Sequence, residues 1–153
     1  MPNAVDPQAP TATTFSLREL IVDGRLGGAA VGMNKDEVRA AIGPPDDWSS
    51  ESGVEHAQIW RYGNFELHFD TGRRCWLLFN DYVQEGLNAG QGRRLDRWLF
   101  DESFEHDALA ARLRASGLQV DEGVERGTHR IRVGEATLWF DDRGLSVIDV
   151  VRK

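Results

Sequence analysis

The stretch QIWRYGNFELHFD, residues 58–70, decides the fold. Trp60 and Tyr62 alternate with Arg61, and Phe65, Leu67 and Phe69 alternate with Glu66 and His68. A period of two marks a strand that buries one face and wets the other. Gly63-Asn64 lies between the two runs and carries hairpin chemistry, and Thr71-Gly72 marks the next turn. A third strand is expected through Trp76 to Phe79. The stretch thus predicts an antiparallel meander with Leu67, Phe69, Leu77 and Phe79 turned to the core.

Toward the N-terminus the period becomes helical. In NKDEVRAAIGPP, residues 34–45, Asn34 is a good N-cap and Glu37 can reach back to complete a capping box. Val38, Ala41 and Ile42 form the apolar stripe, Gly43 supplies a left-handed stop, and Pro44-Pro45 forbids continuation. Further back, Leu17, Leu20 and Ile21 share one helical face, ended by Asp23-Gly24. Residues 1–14 are Pro, Ala and Thr with little to bury, the composition of a disordered tail.

Toward the C-terminus, HRIRVGEATLWFD at 129–141 repeats the first pattern. A shift of 71 sets Arg61, Gly63, Leu67, Phe69 and Asp70 on Arg132, Gly134, Leu138, Phe140 and Asp141. The same shift sets Leu77 and Phe79 on Ile148 and Val150. It also sets Val38 and Ile42 on Leu109 and Leu113, in a helix predicted from about Phe104 to Ala115. An internal duplication is the expectation; two hairpins that converged are the alternative. The fold class is therefore α+β: two tandem modules, each of short helices packed on an antiparallel β-meander. The expected boundaries are a tail at 1–14, a first module at 15–81, a connector at 82–102 and a second module at 103–153. A module of about 70 residues has a marginal core, so the two are expected to pack together. Trp98, Leu99 and Phe100 would anchor the connector against the second module.

The totals are those of a folded chain: 153 residues, 41% hydrophobic and 28% charged. No apolar run is long enough for a membrane span, and residues 1–14 lack the basic and apolar parts of a secretory signal. One cysteine, Cys75, excludes an internal disulfide and a cysteine-rich zinc site. A cytoplasmic location is expected. The net charge of −7 is spread through both halves, which argues against nucleic acid and suits a basic protein partner.

Little in the chain points to catalysis. His56, His68, His106 and His129 show no metal-ligand spacing, and the glycines form no phosphate loop. His68 between Glu66 and Asp70 is the nearest approach to a catalytic cluster, and such charges are ordinary on a solvated strand face. Cys75 has no nearby histidine and reads as a semi-buried strand residue. No cofactor and no metal are expected.

The sheet face says more. With Leu67, Phe69, Leu138 and Phe140 inside, alternation sends Glu66, His68, Thr137 and Trp139 outward. With Leu77 and Phe79 inside, Trp76 and Leu78 point out. This set, edged by Arg61, Arg130, Arg132 and Asp149, has the aromatic and arginine content of an interface. Packing between the modules or in a homodimer is the alternative use of the tryptophans. Asp47 and Trp48, in the acidic loop 46–55, offer a second docking point. Alternatively Trp48 folds onto the sheet edge while the acids stay in water.

GMNKDEVRAAIGPP, residues 32–45, resembles the helical segment of the BamE-like (SmpA/OmlA) fold: Gly-Met, a capped turn, Glu-Val, then Ile-Gly-x-Pro. The resemblance is good across about Gly32 to Asp81 and weak across Phe104 to Val151. Tandem copies of a similar unit occur in β-lactamase inhibitory proteins. Small cytoplasmic actinobacterial proteins that look like immunity proteins are more similar still. The lipobox of the lipoproteins and the disulfides of the inhibitors are missing from this chain. What the resemblance implies is a binding mode, with helices on one sheet face and the other free for a protein. The expected function is a non-enzymatic immunity protein that neutralises a toxin or effector domain; the alternative is an accessory or scaffold subunit of a larger assembly.

Overall fold

The computed structural model describes residues 13–101 and 104–153. The expected tail lies outside the described residues up to residue 12, while Thr13 and Thr14 open a strand, β1 (Thr13–Ser16). Helix α1 (Leu17–Asp23) follows at once: Ser16 Oγ accepts from Glu19 N–H at 3.1 Å, and Gly24, at φ 67°, closes the helix in the left-handed conformation. Leu17, Leu20 and Ile21 are its buried face, as their spacing requires. The two-residue strands β2 (Arg25–Leu26) and β3 (Ala29–Ala30) form a small ribbon.

Helix α2 (Lys35–Ile42) carries the full capping box: Glu37 N–H donates to Asn34 Oδ1 at 2.8 Å, and Asn34 N–H to Glu37 Oε1 at 3.1 Å. Val38 and Ile42 are buried, but Ala41 is exposed, so the stripe is narrower than expected and includes Lys35 instead. Strand β4 (Asp47–Trp48) and a 3-10 turn at Val54–His56 lead into the meander of β5 (Ile59–Tyr62), β6 (Phe65–Phe69) and β7 (Cys75–Asn80). The connector region contains β8 (Arg93–Asp96), which pairs in parallel with β1. Helix α3 (His106–Ala115) is capped by the Glu105 side chain, which accepts from Ala108 N–H at 2.9 Å. Then come β9 (Val120–Glu125), β10 (Thr128–Val133), β11 (Ala136–Asp141) and β12 (Gly144–Val151).

Eight strands form one antiparallel sheet in the order β4-β5-β6-β7-β12-β11-β10-β9. Two meanders therefore meet edge to edge at β7 and β12, through the pairs Leu78↔Val150 and Phe79↔Asp149. The buried apolar residues of all three helices belong to one core with Trp60, Tyr62, Leu67, Leu138 and Ile148 from the inner face of the sheet. Phe15 seals it edge-on against Tyr62 and Phe65.

The expected inward set on β7 needs correction. Leu78 is 1% exposed and points to the core, while Leu77 and Phe79 are half-buried on the other face. The cause is a bulge: His68 pairs with Leu77 but Phe69 with Cys75, leaving Trp76 as an extra residue that reverses the alternation. A second bulge between Trp139 and Phe140 leaves Ser146 extra on β12. Leu67 pairs with Leu78 and Leu138 with Ile148, so the third strands of the two meanders stand in register at a shift of 70 in place of the expected 71.

Candidate functional site

The outer face of the sheet is built from alternate residues of every strand. Asp47, Arg61, Glu66, Phe79, Asp149, Thr137, Arg132 and Asp121 are successive register partners across it. None of these is buried except Glu66, at 8% exposed, and no helix among the described residues covers them. Glu66 was expected in water. It is shielded because Arg61 Nη2 donates to its Oε2 at 3.0 Å and His68 Nε2 lies 2.8 Å from its Oε1. The Arg61 guanidinium lies 5.6 Å from the Tyr82 ring centre.

His68 stands edge-on to Trp76 and Phe79, with ring centres 6.0 and 5.9 Å away. Trp76, the bulge residue, is 40% exposed. On the second meander Trp139 is half-buried and its Nε1–H donates to Asp149 Oδ2 at 2.9 Å. Burial raises the Asp149 carboxyl above its ordinary value, and the hydrogen bond from Trp139 opposes the rise. Arg130 is held by Glu125, Nε to Oε1 at 3.0 Å, and Arg132 also contacts Glu125.

Of the expected docking residues, the structure brings together Arg61, His68 and Trp76 on one half of the outer face, and Trp139 and Arg132 on the other. Leu78 does not join them. Asp47 and Trp48 form the edge strand β4, opposite Arg61 and Trp60, and Trp48 is 41% exposed. Two of the acids around them are engaged: Asp46 Oδ2 accepts from Gly63 N–H at 2.7 Å and from Arg93 at 2.8 Å, and Glu55 pairs with Arg39 and Arg73.

No protein-family model, curated protein or solved structure matches the chain.

The expected neighbours of a catalytic His68 are only half in place. Glu66 touches it, but Asp70 is committed to the β6–β7 turn, where it accepts from Arg74 N–H at 2.9 Å and from Arg152 at 3.3 Å. Those bonds, chiefly the one from the Arg74 backbone, lower its carboxyl pKa. Cys75 is fully buried, and burial pushes its thiol up to about 12, which suits an inert core residue. Sequence spacing missed one assembly. His106, Asp107 and Glu122 bring ligand atoms within 4.8 Å of one another, and the His129 ring centre is 5.9 Å from that of His106. Recognising β9 as a strand beside β10 would have revealed it.

Proposed function

We propose that this chain is a non-enzymatic protein-binding module of the immunity type, which docks a basic toxin or effector domain on the outer face of its sheet. The observation that carries this reading is that face itself: eight strands wide, free of helices among the described residues, and bearing Trp76, Phe79 and Trp139 among Arg61, Arg132 and Asp149. Aromatic and arginine side chains on a one-sided sheet are the composition of binding hot spots. The net charge of −7 favours a basic partner and would speed its approach. A cytoplasmic location belongs to the same proposal. No described helix is long and apolar enough to cross a membrane.

The tandem duplication is part of the proposal. Its support is the register. The pairs Arg61↔Glu66 and Arg132↔Thr137 differ by the same shift of 71 on both strands, as do the bulge sites at His68/Phe69 and Trp139/Phe140. Two related meanders joined at β7 and β12 would make one docking face twice as wide as either. The likeness to the BamE-like fold stays within this proposal as well.

The test is binding of a basic effector domain encoded beside this chain. Trp76→Ala and Trp139→Ala should each weaken binding by about tenfold or more, with circular dichroism unchanged, and the wild type should rescue growth of cells producing the effector. Wild-type affinity in both variants would sink the surface assignment. Binding without rescue would point to a scaffold subunit.

A further inference from the structure

On the opposite side of the sheet from the docking face, α3 begins over the edge strand β9 and its neighbour β10. Three observations there belong together. His106 Nδ1 lies 2.9 Å from Asp107 Oδ1, the distance of a hydrogen bond that fixes the ring and leaves Nε2 with a free lone pair. That Nε2 faces Glu122 Oε1 at 3.6 Å, too far for a hydrogen bond. It is close to the separation of roughly 3.3 Å between two ligand atoms around a tetrahedral ion with bonds near 2.0–2.1 Å. The His129 ring centre is 5.9 Å from that of His106, close to the roughly 5–6 Å between two imidazoles on one such ion. His129 stands outside the group of His106, Asp107 and Glu122 whose ligand atoms converge, so its ring must turn to join them.

We propose that His106 Nε2, Glu122 Oε1 and His129 ligate one divalent transition-metal ion, with Asp107 as the residue that positions His106. Two imidazoles and one carboxylate are a borderline donor set, best matched by Zn2+, with water completing the tetrahedron. Arg114 Nη2 holds Glu122 Oε2 at 2.7 Å, so the carboxylate offers the ion a single oxygen. The ring of His106 packs edge-on against Phe140, 4.8 Å between centres, which limits its rotation. The positive end of the α3 dipole opposes a cation, and the charges of Asp107 and Glu122 offset it. The site is independent of the docking reading, since its residues face the other way.

The experiment is a competition titration of tag-free, metal-stripped full-length protein against a chromogenic zinc chelator, with native mass spectrometry for stoichiometry. The wild type should bind one Zn2+ per chain. His106→Ala, Glu122→Gln and His129→Ala should each weaken binding by about tenfold or more, and Asp107→Asn by about tenfold. His68→Ala, on the outer face, should bind as the wild type does. Glu122 lies on an edge strand, so Glu122→Gln serves should His106→Ala fail to fold by circular dichroism. Failure of the wild type to compete for zinc, or unchanged binding by a folded Glu122→Gln variant, would overturn the site.

Discussion

Asp149 carries the consequence of a one-sided sheet for a single residue. Its cross-strand partners are Phe79 and Thr137, neither charged, and Trp139 covers it while donating one hydrogen bond. Desolvation raises its folded pKa above the unfolded value, so the folded state holds the proton more tightly. The stability this group contributes is therefore complete below the ordinary Asp range of about 4 and is lost as pH rises through the folded pKa. Asp149→Asn keeps an acceptor for Trp139 and cannot ionise. It should raise the urea midpoint above wild type at pH 7, with the gain shrinking toward zero as pH falls to about 4. A gain independent of pH would show that the carboxylate is not desolvated. Lys35 shows what residue patterns hide. It is 3% exposed, its Nζ donates to the carbonyls of Glu55 and Ala57 at 2.8 and 2.6 Å, and it lies over the rings of Trp60 and Phe69. Burial lowers its pKa. A lysine at a helix start reads as solvated, because the carbonyls that hold it come from a loop about 20 residues away.

Among the elements, helices and hairpins were legible and parity was not. The capping box of α2 and the turn at Gly63-Asn64 are local chemistry, written within a few residues, and both appear where expected. Leu78 was misplaced because a bulge leaves no mark in composition: Cys75 to Asn80 has no alternation strong enough to show where one residue is skipped. β8 and β9 were missed for a related reason. RRLD and VDEGVE are polar edge strands whose pairing partners are distant or exposed. The two hairpin glycines make a sharper case. Gly63, at φ 62°, faces the Asn88 carbonyl, and Gly134, at φ 57°, faces that of Ile21, each so closely that a Cβ would collide with the backbone oxygen. Each approach is a bonded one: Asn64 N–H donates to Asn88 O at 2.9 Å, and Glu135 N–H to Ile21 O at 2.8 Å. Ala at either position combines a left-handed conformation with displacement of that bond, and should cost about 2–4 kcal/mol in chemical denaturation. Gly127, at φ 80° in the β9–β10 turn, has open space around it, so Gly127→Ala should cost only about 1 kcal/mol. Equal losses at all three sites would mean that the close approaches do not matter.

Across the whole molecule, the same two hairpins show how the halves depend on each other. The turn of the second meander is bonded by α1, which precedes the first meander. The turn of the first is bonded by the segment that leads to the second. β1 pairs with β8 across the connector, β7 pairs with β12 at the centre of the sheet, and one apolar core runs beneath both meanders. The outer face was anticipated from alternation alone, because a period of two implies one wet side. Its width was not, because the β7–β12 junction is a long-range pairing that no local pattern encodes. Neither half can keep its turn, its edge strand and its share of the core once the other is lost. Unfolding should therefore be a single two-state transition, despite the repeated pattern. The tryptophans report on it from several places: Trp60 and Trp76 on the first meander, Trp139 on the second, and Trp98 beside Phe100 between them. Urea curves followed by tryptophan fluorescence and by far-ultraviolet circular dichroism should superimpose, and Gly134→Ala should shift both curves together. Two separated transitions, or a Gly134→Ala shift confined to one probe, would mean that the meanders fold as independent units. The outer face would then be a pair of hinged surfaces, unsuited to a partner that spans the junction.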